Sequence, residues 1–119
     1  PYDVPHPVTD ADLLRDKIGW VERTSHTDMA LYGTITKTGG VHTIPELAAG
    51  GITAFKLSTY EYDAVRFPRI DHPTMLAAFR EIAKTGLPVA IHNEDQELVE
   101  MLTAEARAAG RTRCASNRR

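Results

Sequence analysis

One cysteine in 119 residues excludes an internal disulfide. Cys114 therefore fits a reducing compartment, and the cytoplasm is the expected location. An excess of charge of one sign is also missing. The formal net charge is -2, so no global basic field calls for nucleic acid. No apolar run approaches the ~20 residues of a membrane-spanning helix, so no membrane partner is expected. A secretory leader is not visible. Position 1 is proline rather than methionine, so either an N-terminal part is removed or the numbered chain is a piece of something longer. Phosphate-cradling glycine loops are absent as well. The Gly39-Gly40 and Gly50-Gly51 pairs give neither G-x-G-x-x-G after a strand nor a G-K-[ST] loop, which argues against a flavodoxin-like or nucleotide-binding module.

The length suits one domain with an affordable core. Residues 1–8 hold three prolines and read as an irregular loop. Thr9 with Asp12 reads as a rough capping box for a first helix. That helix carries Leu14, Ile18 and Val21 at helical spacing and ends near Arg23. Trp20 is expected in the core or over the sheet. MALYGTI, residues 29–35, reads as a strand. Thr43 and Glu46 frame a short second helix, with Pro45 in its first turn and Gly50-Gly51 at its end. ITAFKL, residues 52–57, is the second strand, and a long loop rich in tyrosine and charge follows it. Asp71 caps a third helix with an apolar stripe of Met75, Leu76, Phe79, Ile82 and Ala83, ended by Gly86. PVAIH, residues 88–92, is the third strand. Asp95 caps a fourth helix carrying Leu98, Val99, Leu102 and Ala106, which closes at Gly110. Residues 111–119 have no periodicity and read as a disordered tail, with residues 1–110 as the folded part.

Helices and strands that alternate in this way predict an α/β chain with a parallel sheet and right-handed crossovers. In such folds the chemistry collects on the loops after the C-terminal ends of the strands. Lys56 and His92 both stand at such ends. A strand-terminal histidine on its own is more often a hydrogen-bonded structural residue than a ligand. A lysine in that place usually turns its ammonium to solvent. The pair says more, because successive strands that pair would aim both into one mouth. Neutral imidazole binds zinc and similar ions. An ammonium has no lone pair, so lysine becomes a ligand only when it is deprotonated and modified, for example to a carbamate.

GITAFKLST (51–59), followed after the next helix by LPVAIHNEDQEL (87–98), resembles the cyclic amidohydrolases: hydantoinases (dihydropyrimidinases), allantoinases and dihydroorotases. Their pattern is Gly-x-x-x-Phe-Lys at one strand end and Pro-Val-x-x-His-x-Glu-Asp at the next. The likeness runs over roughly residues 27–110. It implies a partial (β/α)8 barrel of about three parallel strands and four helices, from the region of barrel strands three to five. It implies that Lys56 matches the carbamylated bridging ligand of a binuclear centre, with two zinc ions in the complete enzyme. His92 matches a histidine that ligates one of the metals. A tyrosine shortly after the lysine contacts substrate in hydantoinase-like members but is lacking in allantoinase-like ones. Tyr60 and Tyr62 both lie in that loop, and Tyr60 is the candidate for substrate binding, against a plain role in loop packing. Asn93, Glu94 and Asp95 could orient His92, although Asp95 reads first as a cap. Glu61, Asp63 and Arg66 read as a solvated loop face.

The departures from the family pattern set the limits. Family members also need a His-x-His pair, a later histidine and a catalytic aspartate. No His-x-His occurs here, and His6, His26, His42 and His72 lie outside the matching motifs. No catalytic residue is therefore assigned. The expectation is a segment of a metal-dependent hydrolase acting on a cyclic amide of hydantoin, dihydropyrimidine, dihydroorotate or allantoin type, inactive by itself. The alternative is a non-catalytic, truncated amidohydrolase that serves as an association module. In either case a three-stranded parallel sheet leaves open edges, so homo-oligomerisation or association with missing barrel segments is expected.

Overall fold

A computed structural model describes residues 6–111. The expectations for residues 1–5, for Cys114 and for the tail beyond Arg111 lie outside the described residues. Helix α1 (Ala11–Thr24) leads through strand β1 (Tyr32–Gly33) and a 3₁₀ turn (Val41–Thr43) into helix α2 (Ile44–Ala49). Strand β2 (Ala54–Ser58), helix α3 (His72–Thr85), strand β3 (Val89–His92) and helix α4 (Gln96–Ala108) complete the order. The three strands form one sheet in the order β1-β2-β3, and both pairings are parallel. The chain is thus α/β, three parallel strands with four helices, as a segment of a (β/α)8 barrel.

Local chemistry explains most boundaries. Asp71 caps α3 by accepting the Thr74 N–H at 2.9 Å, and Asp95 caps α4 by accepting the Leu98 N–H at 2.8 Å. Gly86 ends α3 in the left-handed region at φ 72, which glycine enters without a Cβ clash. Two caps differ from the expectation. Asp10, not Thr9, caps α1, accepting the Leu13 N–H at 2.9 Å. The carboxylate one residue on is the one placed opposite the N–H three residues ahead of it. Thr43 makes no side-chain cap for α2. Its hydroxyl donates to the Gly40 carbonyl at 2.8 Å and closes the preceding 3₁₀ turn instead.

The first strand is much shorter than residues 29–35. Only Tyr32 and Gly33 have ladder partners, Ala54 and Phe55. Beyond them the Thr34 N–H turns to the Val8 carbonyl at 2.9 Å. A Cβ at Gly33 would come within 2.7 Å of Ile52 Cδ1, so the close approach of the sheet to the α2 end depends on a missing side chain.

Side chains alternate along β2. Phe55 and Leu57 belong to the buried cluster with Leu14, Ile44, Leu47, Met75 and Ile82, which joins the sheet to α1, α2 and α3. Ala54, Lys56 and Ser58 take the opposite face. One expectation about a helix face fails. Trp20 is 63% exposed, outside the core and off the sheet. Helix α4 has a stripe of apolar residues, yet buries none of them. Leu98, Met101 and Leu102 are all about half exposed or more.

Candidate metal centre

Register decides whether the lysine and the histidine meet. Lys56 pairs with Ala90, and Ser58 pairs with His92. Residues paired across a parallel ladder share a face, and so do residues two apart on one strand. Lys56 and His92 therefore project from the same face of adjacent strands. His92 is the last residue of β3, as expected. Lys56 lies two residues before the end of β2, because the strand continues to Ser58. It is the Ser58 hydroxyl that breaks the strand. It donates to the Tyr60 carbonyl at 2.6 Å and accepts the Tyr60 N–H at 3.1 Å, which turns the chain.

Both side chains line one cavity of about 780 Å³ on this face, together with Val8, Gly33, Arg66 and Phe67. The Phe67 ring lies against both. Lys56 Nζ is 5.8 Å from the ring centroid, and the His92 ring meets it edge-on with centroids 5.4 Å apart. His92 Nε2 stands 3.1 Å from Glu94 Oε1. Its own carbonyl accepts the Thr59 N–H at 2.8 Å, which ties the strand end to the loop after β2. Glu94 is thus the acidic neighbour of the imidazole, while Asp95 is spent on the α4 cap.

The loop between β2 and α3 is ordered by polar contacts. Asp63 accepts the Arg66 N–H at 2.8 Å and the Val65 N–H at 3.0 Å. Those two bonds hold its carboxyl below the usual carboxylate range, the Arg66 bond contributing most. Glu61 accepts from Lys37, whose hydrogen bond is the main reason its carboxyl is also held low. The Glu61 N–H donates to Gln96 Oε1 at 2.7 Å, and Arg69 pairs with Glu97 at 2.7 Å, so the loop is fastened to the start of α4. Arg66 belongs to the cavity wall, not to a purely solvated face. Tyr60 is half-buried and is not among the residues lining the cavity.

Two positions do not make a metal site. Among the described residues no three His, Cys, Asp or Glu side chains cluster closely enough to hold an ion. Lys56 offers a donor only after modification. The residues present fit one wall of a centre, and do not close one.

No family model matches the chain. Curated relatives do. An allantoinase of Solibacter usitatus is 41% identical over 92 residues, 77% of this chain and 20% of the relative. An allantoinase of Rubrobacter xylanophilus is 31% identical over 112 residues, covering 94% of this chain and 24% of the relative. One of Bacillus velezensis is 33% identical over 108 residues, 91% of this chain and 23% of the relative. The chain belongs to the cyclic amidohydrolase family. It spans about a quarter or less of the length of the relatives it matches. As an amidohydrolase segment it carries the sheet face on which Lys56 and His92 stand. Arg66 and Phe67, which sequence reasoning left out of the site, share that face through the folding of the loop. The only sequence signal for them was the length of the loop after a strand end. Among the described residues no helix is long and apolar enough to cross a membrane.

Proposed function

We propose that this chain is the part of a metal-dependent cyclic amidohydrolase that supplies two metal ligands, Lys56 as a carbamate and His92 as a neutral imidazole. The observation that carries this is their common cavity on one face of β2 and β3, in a chain whose relatives are allantoinases. Those relatives favour allantoin over the other cyclic amides as the substrate class. Two divalent ions, of which zinc is the first candidate, would activate water and polarise the ring carbonyl when bound. This chain's residues would hold one wall of that centre, with Glu94 orienting His92. Tyr60 is a candidate substrate contact only if the loop moves it toward the cavity. The remaining ligands and the general base would come from other barrel segments, so the chain alone should not turn over substrate. The lone cysteine supports a cytoplasmic setting.

The test is a transplant. The matching segment of the Solibacter usitatus allantoinase is replaced by this one, and allantoin hydrolysis is followed with added zinc. Activity is expected, and Lys56→Ala and His92→Ala should each abolish it along with bound zinc. A folded chimaera that binds no zinc overturns the ligand assignment. Brisk hydrolysis by the 119-residue chain alone overturns the partial-site reading.

The uncovered apolar residues of α4 favour a second reading beside it, association through open edges with copies of itself or with missing barrel segments.

A further inference from the structure

The Phe67 ring lies close to both Lys56 and His92. It sits within the range in which the unmodified Lys56 ammonium is drawn to an aromatic face, and its edge-on approach to the imidazole is the favoured aromatic arrangement. The main chain that carries the ring is tied down on both sides. Phe67 exchanges hydrogen bonds with Asp63 across a tight turn, its N–H donating to the Asp63 carbonyl at 3.0 Å and its carbonyl accepting the Asp63 N–H at 3.3 Å. The Asp63 carboxylate closes that turn from inside by accepting the Val65 and Arg66 N–H groups. On the other side Pro68 restricts the residue before it to extended conformations. Two residues further on, the Ile70 N–H is fixed to the Ser58 carbonyl at 2.9 Å, with Ile70 buried in the core.

We infer that Phe67 is a positioning residue for the Lys56–His92 pair, an aromatic wedge set by the Asp63 turn that holds the lysine stem and the imidazole on the same mouth. A lysine carries four rotatable carbons and, unsupported, would spread its end group over the whole opening. Side chains that carry a reactive centre need such support from their neighbours. This inference rests on the reading of Lys56 and His92 as metal positions, but its test does not need the metal.

The test is proton NMR on the full chain. Cross-relaxation from the Phe67 ring to both the Lys56 methylenes and the His92 ring is expected. Phe67→Leu should erase the ring-current displacement of both sets and move them toward the shifts of unconstrained side chains, with circular dichroism unchanged. Phe67→Tyr should restore them. Asp63→Ala leaves the aromatic in place and loosens the turn, so it should move the same resonances in the same direction even if Phe67→Leu does not fold. Absent cross-relaxation, or unmoved resonances in a folded variant, overturns the role of Phe67. A zinc-free chimaera in the transplant experiment faults the ligand reading instead and leaves these contacts standing.

Discussion

Lys56 and Phe55 are neighbours with opposite duties, because successive strand residues face opposite ways. Phe55 has no exposed surface and lies in the cluster beneath the helices. Phe55→Ala should cost about 3–5 kcal/mol, as removal of a buried aromatic ring usually does, read as a lowered denaturation midpoint. Lys56→Met, on a half-buried side chain in the cavity wall, should change stability by no more than about 0.5 kcal/mol. Similar losses in the two variants would mean that Lys56 is a structural residue. The paired motif in the sequence singled out both Lys56 and His92, although Lys56 stands two residues before its strand's end. Phe67 was not. Its nearness to them depends on a turn closed by Asp63 and on where Pro68 and Ile70 are anchored, and none of these leaves a periodic signal.

Helix caps carry the next scale. Asp10 holds the first turn of α1, and Asp10→Ala should lower stability by about 1 kcal/mol in urea unfolding. The same kind of bond makes the loops and helix starts sensitive to acid. Asp71 is held below its ordinary 3.8 by the Thr74 backbone N–H first and the Thr74 hydroxyl next. Asp63 is lowered by the turn, and Glu97 chiefly by Arg69. A carboxyl whose folded pKa is depressed stabilises fully above its unfolded pKa, and that contribution is lost as pH falls through the folded value. The melting temperature should therefore hold steady down to about pH 5 and fall below about pH 4. A melting temperature that rises on acidification would contradict the cap and turn bonds. Helix existence and order could be read from apolar spacing and cap residues, whereas which carboxylate or hydroxyl does the capping could not. Thr9 and Asp10 are both good cap residues, and only the path of the backbone chooses between them.

At the scale of the molecule, β1 and β3 are both edges of a parallel sheet. Parallel sheets are normally covered on both faces, and unpaired edges recruit further strands. On β3, Ala90 and Ile91 are exposed, and α4 likewise offers Leu98, Met101 and Leu102 to solvent. The isolated chain should therefore sediment as a dimer or larger species at micromolar concentration. Paired Leu98→Lys and Leu102→Lys changes should shift it toward monomer without lowering its helix content. A wild-type chain that sediments as a clean monomer removes the association reading.

The sequence by itself determined the alternation of elements, the parallel topology it enforces, and the two residues at the mouth. Those depend on local spacing, on caps and glycines, and on the fixed hand of βα crossovers. Only the tertiary structure decided that Lys56 and His92 share a face, since a ladder shifted by one residue would have sent them to opposite sides. It also decided that α4 and Trp20 stay uncovered. Periodicity marks which side of a helix is apolar, but burial needs a second surface to pack against. Among the described residues that surface does not cover α4.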